Sequence, residues 1–482
     1  MSTRATLIPL SKTFLGDRVA LALGLLAAGF GTAFVLAHWS FAVLCGIVVV
    51  LLAAAENERF LLVLVFLIPI NWIAALSFPL VGDTGRLDVA TTVRLLAVGG
   101  FLGGRLLRDR LRFSEMRKVT LTRMSLLLAG VAFASLVLGG YGLTYDSVKA
   151  IVRLLSYIGF YLLLLVWMDS EARLRKVALT ILGSTLFAAC FGILQELIGG
   201  YTSFWLFLNP PSEWFVPMDY RAPSFFANCN FFAGYLNLVL PFSIGCWVVG
   251  EGRWKRLGAW TTGLGTVALL CTQSLGGIVA FGGIVILAIL CFAGDWKKKL
   301  TLLVTLCVLA AGFYFGKAVL NPAHEGQGFS YDQAIRLVLW GIAGDFFRQS
   351  PLLGVGWGNF TALYGSYVTD ISWIPAGQFE VHNIYLQLLA ETGLIGFGTF
   401  FLMIYRAVQQ GLRQLHRYVE GFDKALAFGV LGAILAVLLH GLVDFFFLVS
   451  PQFGTLFWVL LALLVASGRK LGGTLARVQA VG

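Results

Sequence analysis

The chain reads as an all-α polytopic integral membrane protein, and three observations predict this. Of its 482 residues, 59% are hydrophobic and only 12% are charged. Its mean hydropathy is +0.86. Apolar runs of about 18 residues or more recur along the whole length, each long enough to cross a hydrocarbon core as a helix. A water-soluble fold with this composition would lack the polar residues to cover its surface.

Taken in order, the runs predict twelve to fourteen spans, near 18–36, 40–55, 59–80, 89–107, 122–139, 150–168, 176–197, 226–249, 257–272, 275–293, 299–318, 384–407, 425–447 and 452–468. Arg4, Lys12 and Arg18 precede the first as they would a signal peptide. No A-x-A-like cleavage site follows, so it reads as a retained anchor. Residues 1–482 read as one membrane domain, with no internal repeat and no separate soluble catalytic unit. The seven cysteines, at 45, 190, 229, 246, 271, 291 and 307, mostly sit inside apolar runs without a CxxC pair, so they read as small core hydrophobes.

Charge placement then orients the chain. One set of alternate loops holds "RLLRDRLRFSEMRK" (105–118), "EARLRK" (171–176), "EGRWKR" (251–256), "DWKKK" (295–299) and "RAVQQGLRQLHR" (406–417). With the termini, Arg59 and the immediate flanks, this set carries 27 of the 35 Lys and Arg. Positive loops stay on the cytoplasmic side, which predicts both termini inside. The net charge of +11 is therefore a topology signal, with membrane lipid headgroups as its contacts and no nucleic-acid partner implied.

The opposite set contains two long connections, 198–225 and 319–383. Long connections with structure of their own tend to be functional. Within the second, residues 331–349 place Ile335, Leu337, Val338, Ile342, Phe346 and Phe347 at helical spacing, which predicts an amphipathic helix on the outer membrane surface. Next, "PLLGVGWGNF" puts glycines at 354, 356 and 358, suited to a tight, closely packed turn.

Eight cations remain outside the basic loops: Arg86, Arg94, Lys149, Arg153, Arg221, Lys317, Arg336 and Arg348. Arg94 and Arg153 fall inside predicted spans, where an Arg costs at least about 2.5 kcal/mol unless it snorkels or meets a cavity. Arg221 ends the first outer loop. Asn228 and Asn230 follow it at the start of a helix, where free N–H groups favour an anion. Arg336 lies on the polar side of the amphipathic helix. Guanidinium groups suit phosphate because their donor fork is planar and permanently charged. A lipid-borne diphosphate would lie at this depth.

His382 occupies the seam where the second loop re-enters the bundle, in "FEVHNIYLQLLAE". Histidine is the side chain suited to proton transfer near neutrality. His324 reads as an ordinary loop residue. His440 and Asp444, at i and i+4, read either as a structural hydrogen-bonded pair or as support for the site. Asn383 and Tyr385 read as sugar contacts or structural groups, and Glu391, deeper in the helix, as a brace. The outer loops hold no Asp-x-Asp and no HExxH, so no metal and no cofactor are expected.

Four segments carry a resemblance: "RAPSFFANCNFFAGYLNLVLP" (221–241), "TQSLGGIVAF" (272–281), "IRLVLWGIAGDFFRQSPLLGVGWGNF" (335–360) and "VHNIYLQLLAETGLIGF" (381–397). They resemble the O-antigen ligase and O-antigen polymerase superfamily of bacterial envelopes. The resemblance implies a GT-C-like glycosyltransferase of the inner membrane, with its site at the periplasmic face. It implies metal-independent, inverting transfer of a glycan from undecaprenyl diphosphate to an acceptor hydroxyl. For a ligase the acceptor is the lipid A core; for a polymerase, another carrier-linked glycan; for a protein O-oligosaccharyltransferase, a protein. The family's essential histidine falls on His382, and its loop arginines on Arg221 and Arg336. Many members have Ser-Arg-Gly where this chain has Ser274, Leu275 and Gly276, so Arg153 or Arg94 is expected to substitute. Two readings of other classes stand beside this one: a lipid-linked glycan transporter, and a non-catalytic envelope assembly protein.

Overall fold

A computed structural model describes residues 39–70, 77–79, 86–108, 118–198, 221–226, 228–305, 328–368, 380–418, 421–446 and 450–481. The expected spans 18–36 and most of 299–318, and most of the connection 198–225, lie outside the described residues. The longer helices among the described residues are α1 Trp39–Ala54, α2 Glu58–Phe66, α3 Val89–Leu107, α4 Thr120–Leu138, α5 Tyr145–Trp167, α6 Glu171–Ile198, α7 Cys229–Val249, α8 Gly252–Cys271, α9 Leu275–Phe292, α10 Gly328–Gln349, α11 Ile384–Arg417, α12 Phe422–His440 and α13 Pro451–Val481, with a short helical turn at Phe360–Leu363 between α10 and α11. A small antiparallel ribbon pairs β1 (Ser77–Pro79) with β2 (Arg86–Asp88). Among the described residues, nine helices are long and apolar enough to cross a membrane. The protein is an all-α polytopic membrane protein.

Helix starts follow the residue types that satisfy orphan N–H groups. Asn57 accepts from Phe60 N, Asn228 from Asn230 N, Ser274 from Gly277 N and Asn383 from both Tyr385 N and Leu386 N. Thr144 and Ser147 exchange hydrogen bonds at the head of α5, a capping box. The membrane-spanning parts of α7 and α13 are 83% and 94% buried, so they form the centre, whereas α9 at 22% lies on the rim. Small residues let α7 and α12 approach: a Cβ at Gly429 or Gly432 would stand 2.5 or 2.4 Å from Phe242 or Pro241.

The two ends of the bundle differ in charge. Arg105 pairs with Glu56, Lys176 with Glu58, and Arg469 donates to the Leu165 carbonyl at one end, where the basic connections gather. His382 sits at the head of α11, at the opposite end from Arg413 and Arg417. The apolar stripe of α10 is spent inside the protein. Ile335, Leu339, Ile342 and Phe346 bury themselves against Val355, Phe360, Tyr364, Val381 and Ala390, while Leu337 stays exposed.

The glycine turn explains how α10 is joined to α11. At Gly393, φ is 60° and ψ is −163°, a conformation open essentially to glycine alone, and it breaks the helix. The segment before the turn docks into that break. Leu394 N and Ile395 N donate to the carbonyls of Pro351 and Leu352, and Val355 N and Gly356 N donate to those of Ala390 and Glu391. Buried Glu391 then accepts from Gly358 N at 2.9 Å and Phe360 N at 3.2 Å. The part of α11 that follows His382 is thereby tied to the segment 351–360.

Candidate functional site

The backbone at His382 is left-handed, with φ +52°. A residue with a Cβ holds such a conformation at a cost of about 1–3 kcal/mol, and only when its surroundings over-determine it. Here they do. Val381 N donates to Gln387 Oε1 at 2.9 Å, and the Val381 carbonyl accepts from Trp340 Nε1 at 3.0 Å. On the other side, Ile384 N donates to the Gly441 carbonyl at 2.8 Å and Asn383 Nδ2 to the Leu442 carbonyl at 3.0 Å.

This posture points the imidazole at Asp444. His382 Nδ1 lies 3.1 Å from Asp444 Oδ1, with the histidine side chain 31% exposed and the aspartate only 4%. With Nδ1–H donated to the carboxylate, Nε2 is the nitrogen left with a lone pair for a substrate proton. Burial pushes the Asp444 carboxyl up. The hydrogen bond and charge of His382, with the pull of His440 and Arg336, outweigh it and hold Asp444 below the usual carboxylate range. Asp444 is thus a fixed negative charge behind the ring.

The arginines converge on the same end. Arg336, on α10, lies within electrostatic reach of both Asp444 and His440. Arg221 donates through Nε to the Thr272 carbonyl at 2.9 Å and through Nη2 to Asn230 Oδ1 at 2.9 Å. Cys229 lies within electrostatic reach of both Arg221 and Asp444, which puts the first loop's arginine and the histidine's aspartate at the same end of the bundle. Arg153 stands beside Asp146 on α5, together with Lys149. Asp146 in turn acts on Glu380. Arg94 is buried and donates to Thr91 and Ser156, its guanidinium over the Tyr157 ring.

Other expected groups are spent on structure. Asn228 and Asn383 are helix caps. The Tyr385 hydroxyl donates to the Leu438 carbonyl at 2.9 Å. Glu391 braces the glycine turn, through the two backbone bonds already described. His440 and Asp444 do not bond each other: α12 ends at His440, Gly441 caps it, and Asp444 turns to a histidine 62 residues away in sequence. Nδ1 of His440 has no hydrogen-bond partner among the described residues.

Sequence reasoning missed one network. Gln387 Nε2 donates to Glu380 Oε2 and Glu391 Oε1, both at 2.8 Å, and Thr361 donates to Glu380 Oε1 at 3.0 Å. Protein surrounds the Glu380 carboxyl although part of the residue stays accessible, and burial raises it above the usual range. A Glu two residues before the histidine and a Gln five after it were the signal available.

The arrangement offers a proton-accepting imidazole backed by a carboxylate, with guanidinium groups at the same end of the bundle. That is chemistry for attack by a hydroxyl on a donor whose leaving group is an anion. A family model described as O-antigen ligase matches residues 260–401. No curated protein matches the chain. The matched segment, under a third of the chain, carries Arg336, the glycine turn and His382, and over those residues the chain is similar to the O-antigen ligase family.

Proposed function

We propose that this protein is an O-antigen ligase-like glycosyltransferase. It moves a glycan from undecaprenyl diphosphate to an acceptor hydroxyl, that of a lipid A core, at the periplasmic face of a bacterial inner membrane. The observation that carries this reading is the His382–Asp444 pair within reach of Arg336, at the end of the bundle away from the basic loops. With those loops cytoplasmic, as the charge rule has it, the pair lies on the periplasmic side.

In this reading Arg221 and Arg336, helped by Arg153, grip the diphosphate and stabilise the negative charge that grows as the sugar leaves. His382 Nε2 takes the proton of the acceptor hydroxyl. The acceptor oxygen bonds to the anomeric carbon from the face opposite the departing phosphate oxygen, which keeps the electron pair of the broken bond. The anomeric centre inverts, and no metal takes part. Asp444 holds the ring in its productive tautomer and offsets the positive charge it gains.

The test is transfer in vitro, with carrier-linked glycan as donor and lipid A core as acceptor. His382→Ala is expected to lose transfer while still binding the carrier. Full transfer by that variant would end the mechanism. Deleting the gene separates the ligase from the polymerase: surface glycan absent from its acceptor fits the first, and shortened glycan the second.

A further inference from the structure

The strained backbone of His382 is held from two sides, and one of the holders belongs to the helix that carries Arg336. Trp340 follows Arg336 by four residues on α10, so both side chains lie on one face, a single turn apart. Its indole Nε1–H donates to the Val381 carbonyl at 3.0 Å, the peptide group that precedes His382. The Val381 N–H is taken by Gln387 at 2.9 Å. With both ends of the Val381 residue bonded and Ile384 N tied to Gly441, His382 has little freedom to leave φ +52°.

We propose that Trp340 is a positioning residue: it keeps His382 left-handed and ties the posture of the imidazole to the helix whose Arg336 meets the donor's anion. A shift of α10 as the diphosphate is gripped then reaches the ring through one hydrogen bond, so donor binding and proton acceptance are set by the same rigid piece. The glycine turn and Glu391 hold the far side of that piece against α11. This inference rests on the reading of His382 as the proton acceptor.

Trp340→Phe removes the donor while keeping an aromatic ring in place. The expected result is a fall in kcat of about tenfold to a hundredfold, with KM for the carrier-linked donor within about twofold and Tm close to that of the parent. The 15N spectrum of His382 is expected to move, because its bond to Asp444 loosens. Unchanged kcat, or a rise in KM alone, overturns the proposal. So does a fall in kcat that only follows a fall in Tm. If the phenylalanine variant does not accumulate, Trp340→Leu, which also has no side-chain donor for the Val381 carbonyl, is read by the same criteria. An active His382→Ala enzyme would defeat the reading of the histidine; a fully active Trp340→Phe enzyme beside an inactive His382→Ala one would defeat only the role of Trp340.

Discussion

Asp444→Asn isolates the charge behind the imidazole from the geometry that holds it. The asparagine oxygen can still accept from His382 Nδ1 and from Phe445 N, as the aspartate does at 3.1 and 3.0 Å. What disappears is the full negative charge opposite a ring that becomes positive on accepting a proton. With charge centres about 4 Å apart and an effective dielectric near 20, that interaction amounts to about 4 kcal/mol. Because the His382 side chain is 31% exposed, solvent screens part of it. A loss of about 2–3 kcal/mol in the transition state corresponds to roughly 30- to 200-fold in kcat. The assay is steady-state glycan transfer in detergent or vesicles, with donor KM measured alongside. KM is expected to change by no more than a few-fold, because Arg221 and Arg336, proposed to grip the diphosphate, keep their own side chains and Arg336 loses only a distant counter-charge. A variant within threefold of the parent kcat would refute the role assigned to Asp444. The same lowered carboxyl fixes a sign for stability. Its contribution is present above the ordinary Asp value, about 3.9, and is lost as pH falls through the lower folded-state value.

Two further outcomes follow from the same region. Glu380 is raised by burial, so the folded state favours its protonated form, and stability is lost as pH rises from the ordinary Glu value through the folded one. Glu380→Gln is therefore expected to raise Tm near neutral pH and to flatten its decline between mildly acidic and neutral buffers; an unaltered Tm–pH curve would count against it. Gly393→Ala places a Cβ 2.3 Å from the Leu352 carbonyl carbon at a φ/ψ that only glycine tolerates. A cost above about 3 kcal/mol is expected, read as a large drop in Tm or failure to accumulate folded protein; near-parental Tm would show that the break in α11 is not needed.

How much of this was legible beforehand depends on whether the signal was local. Most spans followed from hydropathy, although the run 59–80 is helical only over Glu58–Phe66 and ends in the strand Ser77–Pro79, and the seam at His382 followed from the meeting of a polar loop with an apolar run. The helix over 331–349 was legible from its 3.6-residue period, but its destination was not. A stripe facing lipid and a stripe facing Val355, Phe360 and Ala390 look alike in sequence. The pairing of His440 with Asp444 failed for a definite reason. An i, i+4 rule assumes continuous helix, and α12 stops at His440, which frees Asp444 to find His382. Asn383 and Tyr385 carried the polar atoms expected of sugar contacts, yet the head of α11 needed those atoms to dock on the end of α12. The Glu380–Gln387–Glu391 chain lies in one short window, but the groups that complete it, Thr361 and the backbone of Gly358 and Phe360, come from 19 to 33 residues away, so that window alone does not show it.

The distribution of strain argues that this end of the molecule is assembled before any substrate arrives. Four non-glycine residues in the described chain have positive φ: Glu56, Ser224, Gln273 and His382. Glu56 serves the ion pair with Arg105 at the basic end. The other three stand around the proposed site. Ser224 follows Arg221 by three residues, and its hydroxyl donates to the Ala188 carbonyl at 2.7 Å while its own carbonyl accepts from Gln195. Gln273 comes directly after Thr272, whose carbonyl receives Arg221. Each such residue costs about 1–3 kcal/mol, so three together consume a sizeable part of a domain's net stability. A chain has no packing reason to concentrate that cost where three loops enter the same end of a bundle. Preorganisation supplies one: an imidazole and the Arg221 guanidinium fixed in advance need not be ordered again in the proposed transfer.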